Sequence, residues 1–496
     1  MGRPFKRRLM AIVALAQIAL FGFVLMLIAN FGEALIPPSV PHPSAQRIFE
    51  ASRPGVALVQ VDLTLHTTVA EPTLSSAGLS MDASRTPGGV DRAGALDTLL
   101  SDPGRYFAPG PSGVKEDFYL RDSGTGFFVS EDGRMVTASH VVARDQADIT
   151  DEMKQNFDDP TNTTGVANDL FRIVTADVPG FQPGAVAQAA LDAWLPGYLK
   201  ANTAIDSSDK QIAVGYGTAT IGDQLMTAGD HAEVVAAEPA YPGKDVAIIK
   251  VGVTGATPAL AISAESSPAD AETADLIGYG PPTTAAGAPV DETRHVRLET
   301  GTVQNYEDHD GFTAYGTDAV ARSGDSGGPV LDGEGRVIGM LSYSSTDDQG
   351  QVVQGGNYFI PASVIRSVTL MLKLSKPRAG IGITDTYYRG LAAADNGHYS
   401  EAVALFASVH ARAPADLEAR DRLDAAQAAV KAGRDRTPPS IPWSLLGGVV
   451  GVIAAALEWM LALLPIRASP PLGTVSAEGL GDGRPGGLVV GDWRRP

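Results

Sequence analysis

The spacing of apolar and polar positions changes character several times along the chain. Leu9 to Ala29 is an almost unbroken apolar stretch behind Arg3, Lys6, Arg7 and Arg8. About 20 such residues cross the ~30 Å hydrocarbon layer as a helix, whereas the apolar part of a cleaved signal is about 7–15 residues long. A second run, Leu445 to Ile466, is bounded by Trp443 and Arg467. The pattern predicts transmembrane helices over 9–30 and 444–466. Basic residues lie outside both runs: the four before the first, and Arg467, Arg484, Arg494 and Arg495 after the second. The positive-inside tendency then places residues 1–8 and a disordered tail over 467–496 in the cytoplasm. Everything between the runs is expected outside a bacterial inner or plasma membrane, in the periplasm or beyond.

Between these runs the period shortens. A Pro/Ser-rich linker over 31–46 precedes alternating β-formers at Val56 to Leu65, read as a first strand. Residues 66–115 show no sustained period and are expected to be a surface loop. Asp122 to His140 reads as a hairpin turning at Asp132-Gly133. From 145 to 205 the spacing is helical, with Val186, Ala189, Ala190, Ala193 and Trp194 three and four apart, and Pro196 is expected to close that helix. Strands resume at Gln211 to Ile221, Ala232 to Val251, Thr273 to Tyr279, Val296 to Val303, Gly311 to Tyr315 and Val330 to Ser344, before a helix ending near Leu374. A mainly β body over 47–375 with a helical insertion follows. Residues 376–434 return to helical spacing, with Gly397 at a turn and Ala402, Leu405, Phe406 and Val409 on one stripe, and 435–443 is a second linker.

Composition changes this picture little. The 496 residues are 44% apolar and contain no cysteine, which excludes disulfides and thiolate-bound metal. A formal charge of −19 argues against nucleic acid as a partner. Nothing in the pattern implies a metal or an organic cofactor.

The chemistry concentrates at Arg322-Ser-Gly-Asp-Ser-Gly-Gly-Pro329. A hydroxyl is a poor nucleophile and needs a neighbouring base and a rigid turn that presents it. Glycines on both sides of Ser326 allow such a turn, and the Gly324 and Ser326 N–H groups then point at one spot suited to a developing oxyanion. His140 closes the Thr-Ala-Ser-His run after the predicted hairpin. Asp245 opens an apolar β-branched strand, where an acid can sit behind a histidine and fix its tautomer.

Gly-Asp-Ser-Gly-Gly-Pro, with the order His140, Asp245, Ser326, resembles the trypsin-like serine proteases. Within them the Gly124-Thr-Gly126 strand and the Ile-Pro-Ala segment at 360–362 are most similar to the HtrA/Deg branch. The resemblance implies a double six-stranded β-barrel and a serine endopeptidase acting on protein or peptide substrates, which the two apolar runs are expected to anchor in the membrane. It assigns His140, Asp245 and Ser326 to catalysis and the Gly324 and Ser326 amides to the oxyanion. It also implies that Ser342 supports Asp245, and that Ser342, Tyr343 and Ser344 pair with substrate as an added strand.

The chain departs from that branch in three ways. No PDZ domain follows the protease. Asp325 stands where the branch usually has Asn, yet no Ile-Val-Gly-Gly site exists to release an amine for it. A buried carboxylate needs a partner, and Arg322 or another basic residue is expected to serve. Val320 falls near the position of trypsin's pocket acid, so cleavage after Lys or Arg is not expected. Residues 386–414 resemble one tetratricopeptide repeat, which is too little to stand alone and must pack on the protease, a partner or a second copy. The rival reading is a catalytically silent peptide-binding sensor or scaffold at the membrane.

Overall fold

Fifteen strands carry the architecture among the residues that the computed structural model describes, which are 44–75, 92–265, 267–281, 292–346, 352–371, 382–414 and 416–437. The first seven are β1 (Val56–Leu74), β2 (Phe107–Phe128), β3 (Arg134–Ala138), β4 (Thr203–Tyr216), β5 (Thr218–Thr220), β6 (Asp230–Ala237) and β7 (Val246–Val251). Six of them close a barrel in the order β1-β2-β3-β7-β6-β4. The Val-Ala-Ile-Ile-Lys-Val run of β7 is buried except at Lys250, as a strand covered on both faces requires.

The second half contains β8 (Asp275–Gly278), β9 (Thr293–His295), β10 (Arg297–Glu299), β11 (Val303–His309), β12 (Phe312–Thr317), β13 (Pro329–Leu331), β14 (Val337–Thr346) and β15 (Val352–Pro361). Seven form a sheet in the order β10-β8-β13-β14-β15-β12-β11, and β9 pairs with β5 instead. Six strands in a second barrel were expected; the structure has this seven-stranded sheet. The strand expected over 296–303 breaks at Gly301, whose N–H donates to the Asp275 carboxylate and whose carbonyl accepts from Ala274. The chain beyond the break forms β11, an added strand. A bridge joins Thr273, just before β8, to Thr302, just before β11.

The described residues of the loop expected over 66–115 are strand at both ends, with helices Arg92–Leu100 and Pro103–Tyr106 before β2. β1 runs on to Leu74, and β2 begins at Phe107, in register from Val56↔Phe127 to Leu74↔Phe107 with one irregularity near Pro72. Pro109 and Pro111 masked this in the sequence. They are tolerated because, among the described residues, β2 meets β3 only through Gly126 to Phe128, and its outer edge is otherwise unpaired. Helices Gln146–Asn156, Pro160–Val174 and Ala185–Asn202 lie in the 145–205 insertion. Asp145 and Asp159 cap the first two through the N–H groups of Asp148 and Thr161. Pro196 does not end the third: the helix continues to Asn202, and the Tyr198 hydroxyl donates to Ala70 O at 2.8 Å. Phe181 and Ala187 of the insertion share a small core with Leu100, Tyr106 and Phe107 from the segment that leads into β2.

Helix Ala362–Met371 ends the β body. Helices Ile383–Asp395, Tyr399–Arg412 and Leu417–Lys431 then pack around Tyr387, Leu391, Phe406 and Val409. They rest on this same chain: Ala51 joins their core, Arg53 pairs with Glu418, and Arg412 pairs with Glu131 at 2.7 Å. The two membrane helices expected from the sequence fall outside the described residues, and no described helix is long and apolar enough to cross a membrane.

Candidate functional site

Strand pairing brings the imidazole to its carboxylate. The β3–β7 ladder ends at Ala138↔Val246, so the residues just beyond it, Ser139 to Val142 in one helical turn and Asp245 at the head of β7, are neighbours. Ser139 N–H donates to Asp245 O at 3.0 Å, and His140 N–H donates to Asp245 Oδ1 at 2.9 Å. His140 Nδ1 lies 2.8 Å from Asp245 Oδ2. A carboxylate only accepts, so Nδ1 carries the proton and Nε2 is left as an acceptor facing away from Asp245. Asp245 is fully buried and sits at φ +50°, a left-handed conformation rare for a residue with a side chain. The ladder and three donors to its carboxylate hold it there.

The third donor is Ser342, whose hydroxyl reaches Asp245 Oδ2 at 2.6 Å. Burial pushes the His140 pKa down, but the hydrogen bond and the charge of Asp245 outweigh it, and Asp122 adds to them, so the imidazole titrates above its ordinary value. Ser342→Ala takes one hydrogen bond from a carboxylate with no access to water. An expected loss of about 1.5–3 kcal/mol in stability follows, read by urea unfolding at pH 8.

The nucleophile turn is built from backbone hydrogen bonds. Asp325 N–H donates to Arg322 O at 2.9 Å, Gly328 N–H to Asp325 O at 2.8 Å, and Gly327 N–H to Leu341 O at 2.8 Å. Gly324 has φ +93°, which needs the absent side chain, and its carbonyl is turned away to accept from Thr125 Oγ1 at 2.7 Å. Thr125 N–H also donates to Ser326 O at 2.8 Å. Among the described residues neither the Gly324 nor the Ser326 N–H donates to any group. Thr125, from the first barrel, therefore fixes the turn from below; only its place in Gly124-Thr-Gly126 was noticeable in the sequence.

Ser342 ties the serine to the His140–Asp245 pair. Ser326 Oγ donates weakly to Ser342 O at 3.5 Å, while the Ser342 hydroxyl holds Asp245. The Ser326 hydroxyl thus rests on this carbonyl and not on the imidazole. The β13–β14 ladder ends at Pro329↔Met340, so, among the described residues, 342–344 keep one open edge while Tyr343 and Ser344 pair with β15. Tyr343 stacks on Tyr358 at 5.0 Å and donates to Glu307 at 3.1 Å. Ser344 Oγ donates to Asn357 Oδ1 at 2.7 Å, and Asn357 Nδ2 donates to Ala319 O at 2.8 Å. Asn357 so joins the strand of Ser344 to the loop of Val320, a link that no local sequence signal marked. Val320 itself is 53% exposed.

Of the two options expected for Asp325, the structure has the second, a basic residue other than Arg322. The Arg322 guanidinium goes to Glu299 at 2.6 Å, and Arg297 pairs with the Asp325 carboxylate. Arg322 contributes only its backbone N–H to Asp325, at 2.8 Å. Nothing in the sequence links Arg297 to a residue 28 positions away; strand β10 carries it there. Among the described residues no group of three or more His, Asp or Glu side chains is arranged to hold a metal ion.

Residues 124–340 match the family described as trypsin-like peptidase domain. No curated protein matches the chain. Two solved structures are similar over about two thirds of it. One is the serine endoprotease from Yersinia pestis, at 14% identity and TM-score 0.31, covering 67% of this chain and 68% of that one. The other is the HtrA-type protease AlgW with a tripeptide, at 14% identity and TM-score 0.32, covering 66% of this chain and 64% of that one.

Proposed function

We propose, from the premise that residues 124–340 are the trypsin-like peptidase domain of a serine endopeptidase, that His140, Asp245 and Ser326 are its catalytic residues. Ser326 Oγ leaves the Ser342 carbonyl and attacks the scissile carbonyl as His140 Nε2 takes its proton. The same proton passes to the leaving amine, and water then releases the acyl group from Ser326 by the reverse route. Asp245 keeps Nδ1 protonated and stabilises the imidazolium. The free Gly324 and Ser326 N–H groups hold the oxyanion. The observation that carries this reading is the 2.8 Å contact of His140 Nδ1 with a fully buried Asp245, joined through Ser342 to Ser326.

Substrate backbone pairs with the open edge at 342–344, and Val320 gives the specificity pocket no acid, favouring small or apolar side chains over Lys and Arg. The apolar runs at 9–30 and 444–466 support a membrane-anchored enzyme acting on extracytoplasmic proteins, with the three helices after the protease as a surface for a protein partner or a second copy. A second reading, a silent peptide-binding sensor, is favoured by one contact: Ser326 Oγ bonds Ser342 O and not His140.

Cleavage of a peptide library by the full-length chain separates the two. The enzyme yields new termini after small or apolar residues, and the sensor yields none. The pH profile adds a check. His140 acts as a base only when neutral, and its pKa is raised. The kcat/KM is expected to fall on acidification along one ionisation that lies above about 6.5. An acid limb well below that value contradicts the assignment of His140.

A further inference from the structure

The carboxylate of Asp325 is a buried charge in the nucleophile turn that none of the hydrolytic steps uses. Its side chain is 1% exposed. Oδ1 accepts from Gly280 N–H at 2.6 Å, and Oδ2 accepts from Arg322 N–H at 2.8 Å and from the Arg297 guanidinium. Arg297 also donates to Gly280 O at 3.1 Å and to Glu299, and Glu299 in turn takes the Arg322 guanidinium. The cage is tight: a Cβ on Gly280 would stand 2.8 Å from both Asp325 oxygens, and one on Gly278 would fall on the carboxylate itself. Burial pushes the Asp325 pKa up to about 6, against the pull of Arg297 and the Gly280 N–H.

We infer that Arg297 is the positioning residue that holds the nucleophile turn in its hydrolytic shape, by neutralising Asp325 from within the chain so that no amine released by cleavage is needed. The argument rests on Ser326 being the nucleophile. Asp325 lies between the two oxyanion donors, and its carboxylate accepts the Arg322 N–H at the start of the same turn. Without Arg297 an ionised Asp325 has no cation in contact and is driven toward water, because an unpaired buried charge is the costly state. The backbone from 322 to 326 moves with it, and the paired aim of the Gly324 and Ser326 N–H groups is lost. Glu299 keeps Arg322 as a partner, so the surrounding surface survives the change.

The test uses the purified full-length chain with a cleaved peptide, comparing the parent with Arg297→Lys, Arg297→Met and Arg297→Met/Asp325→Asn, each checked for folding by circular dichroism. Arg297→Met is expected to lose about 10²–10³-fold in kcat, the scale of one oxyanion donor, with KM changed by less than about 3-fold. Arg297→Lys keeps the charge and is expected to retain a larger part of the activity. Arg297→Met/Asp325→Asn is expected to recover at least about 10-fold over Arg297→Met, because an amide needs no cation and its oxygen still accepts an N–H. The ratio of Arg297→Met to parent activity is also expected to fall as pH rises from about 6 to 9, since ionisation of Asp325 is what expels it. An active parent whose Arg297→Met variant is unimpaired, or unimproved by Asp325→Asn, overturns this inference alone. An inactive parent overturns it together with the hydrolytic reading.

Discussion

Ser326→Ala is expected to lower kcat by about 10⁶-fold while changing KM by only a few-fold. The hydroxyl is the atom that forms the acyl bond, and nothing beside it can take over. Its surroundings barely change, since the turn is held by main-chain bonds from Thr125, Arg322 and Leu341, with Asp325 between them. His140→Ala is expected to cost about as much, because a serine without its base is an ordinary alcohol. The double variant is expected to be no worse than either single, as for residues that act as one unit. Steady-state rates on one library-selected peptide decide the matter. Losses that multiply in the double variant would show that Ser326 and His140 act separately.

Asp245→Asn is the second large effect, about 10⁴-fold in kcat, the loss that follows the wrong imidazole tautomer in Ser-His-Asp enzymes. The carboxylate accepts from His140 N–H, His140 Nδ1 and Ser342 Oγ at once. An amide has one oxygen for these three donors, and its NH₂ group must face one of them. Where it faces Nδ1, the ring proton shifts to Nε2, and the acceptor that Ser326 needs is gone. The charge that raises the His140 pKa disappears as well, so the residual activity is expected to have its acid limb at lower pH than the parent. Nitrogen-15 chemical shifts of the imidazole check the tautomer directly. A variant that keeps the Nδ1–H form yet loses activity would place the role of Asp245 elsewhere.

What could be read from the sequence was what depends on neighbours along the chain. Ser326 stood out through its glycines, His140 through the hairpin before it, and Asp245 through the apolar run that becomes β7; in the structure His140 bonds Asp245, and Ser342 links Asp245 to Ser326. The 145–205 insertion was visible as a change of period, because helical spacing needs only local residues. Other features depend on residues far apart. Arg297 reaches Asp325 because β10 lies beside β8, and Asn357 joins strand β14 to the loop of Val320, which only the sheet brings together. The length of β1 and β2 was hidden because a proline reads as a break unless the open edge it occupies is known. Pro196 misled for a related reason: helix Ala185–Asn202 is held past it by tertiary contacts such as Tyr198 on Ala70, which outweigh a local penalty of about 3 kcal/mol.

The central claim is that Ser326 is a nucleophile activated by His140, and a fluorophosphonate tests it most directly, since it bonds only to an activated serine. The full-length chain treated with the probe and digested for mass spectrometry is expected to carry one adduct, on Ser326, lost in Ser326→Ala and sharply reduced in His140→Ala. A well-folded parent that takes up no label, or takes it on another serine, contradicts the account.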